Sequence, residues 1–507
     1  MTRDITRREL LKAAGGLTFL ALVPMGRGLF AAKTRRGSSV VYTALPYVQP
    51  GSGSAGGAGG ENAVIAWQIE GPAAEFAVEY GPTGDYGTRA DVSSQLRIGP
   101  EPPRAERRNY SARLSGLEQG RTYRYRIREG GARGVVIAAG YLTTRQRRGA
   151  SIRFAAFGDN AFGDAGERAV AYHAYHARPD FIMNTGDNVY ESGRDDEYAR
   201  YFFPVYNARS ADPRVGAPLL RSVPFYTVIA NHDVHDYDAS SRPLADFDAH
   251  PDSLAYFTSM HLPLNGPVSP PQATPIVGAQ EHLATFRVCA GERYPRMANY
   301  SFDYGDAHFL CLDSNLYVDP THPEWVRYIA ADLSSTDARW KFVVYHHPAF
   351  NVGLNHYREQ QMRVLSPLFE EHGVDVVLSG HEHNYQRTRP LRFTPGNRSL
   401  AGAAPGRDRR VPGSFVVDQR FDGHAVTKPS GVIYITTGAG GKELYDPGFT
   451  DRPERWLRPD DGNVAYVSRM VTDRHSFSLF EIGHGGLTMS QIDETGRTID
   501  RIHVTKT

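Results

Sequence analysis

At 507 residues, with 40% hydrophobic and 22% charged side chains, the chain is long enough for two or three domains and has an ordinary globular balance. A net charge of +1 excludes the basic footprint of a nucleic-acid-binding surface, so no nucleic-acid partner is expected. No run reaches the roughly 18 apolar residues that a spanning helix needs, so stable membrane insertion is not expected either.

The N-terminal stretch reads as a targeting segment over residues 1–32. Thr6-Arg7-Arg8-Glu9-Leu10-Leu11-Lys12 is a basic head, Gly15 to Pro24 is a mild apolar run, and small residues gather near Ala31-Ala32. The paired arginines followed by Leu10, Leu11 and Lys12 resemble a twin-arginine (Tat) export signal. That resemblance implies the Tat export machinery as a partner and a periplasmic or extracellular destination. There are 2 cysteines, Cys289 and Cys311, and an exported compartment would allow them to pair. Cys311 lies in an apolar strand-like run, so a buried free thiol is an equal reading. Neither looks like a nucleophile.

Ser39 to Tyr47 is strand-like, and Gly51 to Gly60 is low-complexity sequence. Residues 62 to 145 then read as short strands separated by turns, such as Ala63 to Ile69 and Glu75 to Tyr80. Leu117-Glu118-Gln119-Gly120-Arg121-Thr122-Tyr123 is a leucine, a turn and a corner tyrosine ahead of an alternating strand. It resembles the fibronectin type III pattern, with Trp67 as the inner-sheet tryptophan. Residues 40–146 are therefore expected to be an all-β fibronectin type III-like sandwich, and Arg145 to Arg148 a solvated linker.

From Ile152 strands alternate with helices, the signature of an α/β domain over 151–500. Strands are expected at Ile152–Phe157, Asp180–Thr185, Phe225–Ala230, Lys341–Tyr345, Val374–Leu378 and Gly431–Thr437. Helices are expected at Gly166–Ala177, Pro323–Leu333 and Tyr357–His372. Asn299–Asp313 and Phe477–Ile492 read as hairpins. Residues 238–300 look like a long surface insertion, and 392–428 like an Arg/Gly/Pro-rich loop. Gly438-Ala439-Gly440-Gly441-Lys442 is not a phosphate loop, because Thr436 takes the place of the first glycine and Glu443 that of the required Ser/Thr. It reads as a tight turn after a buried strand.

Five segments share one geometry, an apolar run that ends in polar ligand types. They are Gly158-Asp159-Asn160, Gly186-Asp187-Asn188, Ala230-Asn231-His232-Asp233, Tyr345-His346 and Gly380-His381-Glu382-His383. Carboxyl ends of strands in an α/β sheet gather at one edge, where sites are built. Any one of these segments is compatible with a cap or a turn, but the five together point to a two-metal phosphoesterase site.

Their order and spacing resemble the calcineurin-like metallophosphoesterases, and within them the purple acid phosphatases. Asp159-Asn160-Ala161 lacks the histidine of general members, and Tyr190 follows Asp187 by three residues. Ala161 departs from the glycine usual in the subgroup. The resemblance covers most of residues 40–490 and implies a two-sheet β-sandwich flanked by helices. It also implies a binuclear metal centre, Fe(III) with Fe(II), Zn or Mn. Asp159, Tyr190 and His383 would hold the ferric ion, Asn231, His346 and His381 the divalent ion, and Asp187 would bridge them. His232 would protonate the leaving oxygen and Asp233 would orient it. His356 would contact the substrate, although Asn355 stands where the family has a neighbouring histidine. His347, directly after His346, is expected to point away.

The function so implied is an exported acid phosphatase: hydrolysis of small phosphomonoesters by attack of metal-bound hydroxide. A phosphodiesterase or nucleotide hydrolase with a Mn, Zn or Fe pair is the main alternative. An exported binding protein with a degenerate site is a second. Oligomeric state is not readable.

Overall fold

Alternating apolar and polar side chains give strands that can bury only one face, and two such faces close on each other. The computed structural model describes residues 40–51, 60–97, 106–234, 236–237, 243–267, 273–396 and 409–506. The expected targeting segment 1–32 and the interior of the Gly51–Gly60 stretch lie outside the described residues. Two four-stranded antiparallel sheets form between Val41 and Thr143. One runs Val41–Gln49, Glu61–Glu70, Arg107–Leu117, Val92–Arg97; the other runs Thr88–Ala90, Phe76–Gly81, Thr122–Glu129, Val135–Thr143. Trp67 is fully buried between them, stacked on Tyr110 at 5.4 Å and edge-on to Phe76 at 5.3 Å. The Tyr123 hydroxyl accepts the backbone N–H of Glu118 at 3.0 Å, which closes the expected corner.

Beyond Ile152 the chain builds two larger sheets. The first has the order Phe225–Thr227, Phe181–Asn184, Ile152–Phe157, Ser476–Gly483, Gly486–Asp493, Thr498–Val504. The second has the order Tyr300–Tyr304, Ala307–Cys311, Trp340–Val344, Val376–Ser379, Ile433–Thr437, Tyr385–Thr388, Val467–Val471. Phe154 of the first meets Phe309 and Phe342 of the second edge-on, at 5.2 and 5.4 Å. The strands ending at Phe157, Asn184 and Thr227 run parallel, as do those ending at Cys311, Val344, Ser379 and Thr437. Their carboxyl ends present the ligand-bearing turns.

Several expectations are corrected. The described residues between 243 and 300 are not a surface insertion: Leu254 to Phe257 are wholly buried, and Thr258 and Ser259 meet the N-terminal sandwich. Tyr47 donates to the Ser259 carbonyl (2.7 Å), Gln68 to the Ser259 hydroxyl (3.1 Å) and Asn109 to the Thr258 carbonyl (2.8 Å). Buried polar groups on the sandwich need such partners, and a turn-rich segment with free carbonyls supplies them. Arg145 is not solvated either; it is buried and grips Glu61 through two bonds, at 2.7 and 2.9 Å. The helix expected over Tyr357–His372 is shorter. It comprises a 3-10 turn at Gln361–Leu365 and an α-helix at Ser366–Glu371, with Pro367 in its first turn. Residues 356–360 stay out of it because His356 and Glu359 are drawn into the site described below. The strand from Phe225 stops at Thr227, and the 392–428 region contains a hairpin, Leu391–Pro395 with Gly413–Val417. Cys289 and Cys311 are both buried and free.

One buried histidine gives the fold a pH signature. His308 sits between Asp303 (Nδ1–Oδ1 2.7 Å) and Asp332 (Nε2–Oδ2 2.8 Å), on the strand that helix Pro323–Ser335 covers. Burial disfavours its charge, but the two carboxylates outweigh burial and raise its pKa to about 9. The folded value lies above the unfolded one, so this stabilisation is complete below about pH 6.5 and is lost as pH rises through about 9. We expect stability in urea to fall by on the order of 2–3 kcal/mol across that window in the parent protein. The fall should be much smaller in His308→Gln; equal slopes in the two proteins would remove the assignment.

Candidate metal centre

The strand Ile152–Phe157 delivers Asp159, Phe181–Asn184 delivers Asp187, and Phe225–Thr227 leads to Asn231. From the second sheet, Trp340–Val344 leads to His346 and Val376–Ser379 to His381 and His383. Each chain must turn sharply to aim its side chain at one point. Asp159, Asp187 and His381 accordingly adopt left-handed backbone, with φ of 57°, 49° and 70°. Non-glycine residues seldom do so, and such conformations persist where the surroundings over-determine them. Gly380 permits the approach of the two sheets, since a Cβ there would fall 2.4 Å from an Asp159 oxygen.

The Tyr190 hydroxyl is the hub of one cluster. It lies 3.0 Å from Asp187 Oδ2, 3.3 Å from Asp159 Oδ1 and 3.2 Å from His383 Nε2. Asp187 Oδ2 also lies 3.3 Å from His346 Nε2, and His346 Nε2 lies 3.2 Å from His381 Nδ1. Asp187 is thus shared by a Tyr190/Asp159/His383 group and a His346/His381 group. All are buried.

The protons on the imidazoles follow from their outer partners. His346 Nδ1 donates to the Thr185 carbonyl at 2.8 Å, and His383 Nδ1 to the Glu443 carbonyl at 2.8 Å. His381 Nε2 donates to the Glu359 carboxylate at 3.0 Å. As neutral ligands the three would turn lone pairs inward; without a cation, Asp187 and Asp159 outweigh burial and raise the His346 pKa to about 9, so its Nε2 holds a proton toward Asp187. His346 Nε2 and His381 Nδ1 face each other at 3.2 Å. Asn231 Oδ1 is buried with no hydrogen-bond partner. Imidazole nitrogens and carboxylates converging on one point, with an orphaned amide oxygen on the turn that follows a neighbouring strand, are the donor types that a cation satisfies. Asp187, His346 and His381 offer ligand atoms within 4.8 Å of one another.

Without a cation the charges conflict. Burial, then Asp187, pushes the Asp159 carboxyl well above the carboxylate range, although His346 opposes this. Burial also acts on Asp187, but His346, His232 and His381 outweigh it and hold its carboxyl well below that range. Burial and the two aspartates push the Tyr190 phenol well up. Burial lowers His383 to about 3.

His232 lies beside this centre. Its backbone N–H donates to Asp187 Oδ1 at 3.0 Å, and its Nδ1 donates to the Glu191 carbonyl at 2.7 Å. Its ring sits 4.5 Å from that of Tyr190. Asp233 does not orient it, contrary to expectation. The Asp233 carboxylate accepts the Ala230 N–H at 3.0 Å and lies within 3.4 Å of the Asn188 amide, so it shapes the turn beneath Asn231. Burial and then Asp187 raise its pKa to about 8.

His356 stands at the site, 3.8 Å ring to ring from His381 and 3.2 Å from Glu359 Oε1. His347 does not simply point away: its Nδ1 meets Ser314 Oγ at 3.0 Å, but its Nε2 lies 3.8 Å from Glu359 Oε2, its ring 4.3 Å from that of His381, and the three offer a second set of ligand atoms within 4.8 Å of one another. Three residues escaped the sequence reading. Glu359, 3% exposed, holds His381; its spacing of three from His356 was the available clue. Tyr445 stacks on His383 at 3.9 Å. Lys442 lies 4.9 Å from the Tyr190 ring and pairs with Glu191 at 2.7 Å. The Gly438–Lys442 segment is the expected turn, but it is laid against the centre, with the Lys442 N–H bonded to the Asp159 carbonyl at 2.9 Å.

Residues 152–385 match the family model for calcineurin-like phosphoesterases. The chain is 27% identical over 217 residues to purple acid phosphatase 17 of Arabidopsis thaliana, covering 41% of this chain and 53% of that protein. It is 27% identical over 186 residues to a phosphoenolpyruvate phosphatase of Allium cepa, covering 34% and 38%. The chain therefore spans about half, or less, of the length of these curated relatives. Among solved structures, purple acid phosphatase PPD1 from yellow lupin (Lupinus luteus) seeds superposes with a TM-score of 0.61 at 17% identity, covering 91% of this chain and 74% of that one. A structure of PhoD superposes with a TM-score of 0.53 at 13% identity, covering 92% and 94%. At these identities the likeness is one of fold.

Proposed function

We propose that this chain, whose residues 152–385 form a calcineurin-like metallophosphoesterase domain with purple acid phosphatase homologues, hydrolyses phosphomonoesters at a binuclear metal centre. The observation that carries this reading is the Asp187 carboxylate, one oxygen of which is shared by the Tyr190 hydroxyl and His346 Nε2. Asp159, Tyr190 and His383 would hold one ion, Asn231, His346 and His381 the other, and Asp187 both. Tyr190 as a phenolate and the hard oxygens around it favour ferric iron on its side, with Fe(II), Zn or Mn on the other. When bound, such a pair supplies Lewis-acid activation of water and of the phosphoryl oxygens.

The protein's own part is positional and acid–base. The Glu191 carbonyl holds the Nδ1 proton of His232, so it is as the imidazolium that His232 has a proton on Nε2 to give to the departing alcohol oxygen. Glu359 fixes the His381 tautomer, and the Thr185 and Glu443 carbonyls fix those of His346 and His383. Glu359→Gln should therefore weaken metal retention by roughly 10–100-fold in chelator competition. Unchanged retention would remove Glu359 from this role.

Metal analysis combined with a visible spectrum and a p-nitrophenyl phosphate assay tests the whole reading. Two metals per chain, iron among them, and a phenolate-to-iron band that Tyr190→Phe abolishes are expected. Two metals with no band, even after oxidation, would move the centre to the general metallophosphoesterase type. Less than one metal per chain and no hydrolysis would favour a binding protein. Export by the twin-arginine route belongs to the same proposal and rests on Arg7, Arg8, Leu10 and Leu11. Cell fractionation with Arg7 and Arg8 replaced by lysine tests it. The sandwich before the catalytic part is taken as fibronectin type III-like, supported by the Tyr123 corner and the buried Trp67.

A further inference from the structure

A cavity of about 440 Å³ opens beside the His356 flank of the centre, lined among others by Leu354, Tyr357, Arg358, Glu359, Arg458 and Asp460. It has the size of a small-molecule pocket. Its Glu359 wall is one hydrogen bond from His381, at 3.0 Å, and one from His356, at 3.2 Å. A phosphoryl group held at the centre would thus have its organic portion directed past His356 into this space.

The charges of the walls are unequal. Glu359 is engaged by His381 and His356, and Asp460 is engaged by Arg410 at 3.2 Å. Arg458 has Asp446 within electrostatic range but not in contact, and that carboxylate accepts the Leu354 N–H at 3.1 Å. Its guanidinium donates to the backbone carbonyls of Val352, Arg455 (2.8 Å) and Leu457 (3.1 Å), and no carboxylate touches it among the described residues. Its Nε is buried without an acceptor. The group is also held in place, with the rings of Tyr357 and Phe449 at 5.7 and 5.9 Å. A fixed guanidinium that lines the cavity with no carboxylate in contact among the described residues is half of an anion site. Arg358 adds a second cation at the rim.

We propose that this cavity is the subsite for the organic part of the substrate, and that Arg458 selects phosphate esters carrying a second anionic group, a carboxylate or a further phosphate. This rests on the phosphomonoesterase reading above. Leu354, 63% exposed, gives the same space an apolar side for the carbon skeleton between the two charges.

The test compares phenyl phosphate with 4-carboxyphenyl phosphate, and butyl phosphate with butane-1,4-diol bisphosphate. In the parent protein the charged member of each pair should have kcat/KM higher by roughly tenfold, carried by KM, as expected for one charge-assisted contact. A preference in the first pair alone would assign a carboxylate, and in the second alone a phosphate. Arg458→Met should bring both ratios to about one, and Arg458→Lys should keep part of the preference. The ratio is internal to each variant, so a general loss of stability does not imitate it. Equal rates within both pairs in the parent protein, or a preference that persists in Arg458→Met, would overturn the proposal. If no ester is hydrolysed the phosphatase reading itself fails. Calorimetric titration with 4-carboxyphenylphosphonate against phenylphosphonate then still reads the subsite, and equal affinities would dismiss it.

Discussion

Replacing Asp187 with alanine is expected to empty both halves of the proposed centre and to reduce phosphate-ester hydrolysis to the background of the assay. One Asp187 oxygen serves the Tyr190 group and the His346/His381 group together, and the other accepts the His232 backbone N–H at 3.0 Å. Removal of Asp187 therefore acts on two ions and on the placement of the proposed acid. Asp187→Asn is the cleaner version. Asparagine accepts the left-handed φ of 49° found there, keeps the volume, and loses only the charge. The measurement is metal content by elemental analysis on folded protein, with circular dichroism as the control. Retention of two ions in Asp187→Asn and Asp187→Ala would sink the bridging role.

The second large effect is expected at His232. In His232→Ala metal content and any visible band should persist, because His232 is not a ligand in this arrangement. Turnover should fall by roughly 10²–10⁴-fold for esters of poorly acidic alcohols and far less for p-nitrophenyl phosphate, whose leaving group needs no proton. The dependence on leaving group separates a proton donor from a residue that merely shapes the site. The His232 ring packs 4.5 Å from Tyr190, so a structural role would show as a shifted band and an equal loss for all esters. Uniform loss would remove His232 as the acid.

Asp233 illustrates where local reasoning fails. Adjacent in sequence to His232, it looked like an orienting carboxylate. The turn over Ala230–Asp233 instead folds its side chain back onto the Ala230 N–H and Asn188. The carbonyl that orients His232 comes from Glu191, 41 residues away. Glu359 escaped for the converse reason. The apolar spacing of Tyr357–His372 fits a helix, and only the approach of His381, 22 residues on, draws Glu359 out of that pattern. The buried Arg145–Glu61 pair spans 84 positions and was likewise read as solvated sequence.

What the sequence determined by itself was the set of turns that end apolar runs: Asp159, Asp187, Asn231, His346, His381 and His383, with Tyr190 three residues after its aspartate. That information is local. A buried strand announces itself by composition, and the polar residues that follow it must lie at its carboxyl end. The alternation that makes the first sandwich is local too. Tertiary structure decided which nitrogen of each histidine faces inward, because that depends on the Thr185 and Glu443 carbonyls and on the Glu359 carboxylate. It also decided that residues 254–259 are packed inside, and that Arg458 stands with a bare Nε beside a cavity. These are contacts between segments far apart in the chain. Their energies come from burial and pairing across the fold, for which no single stretch of sequence carries a signal.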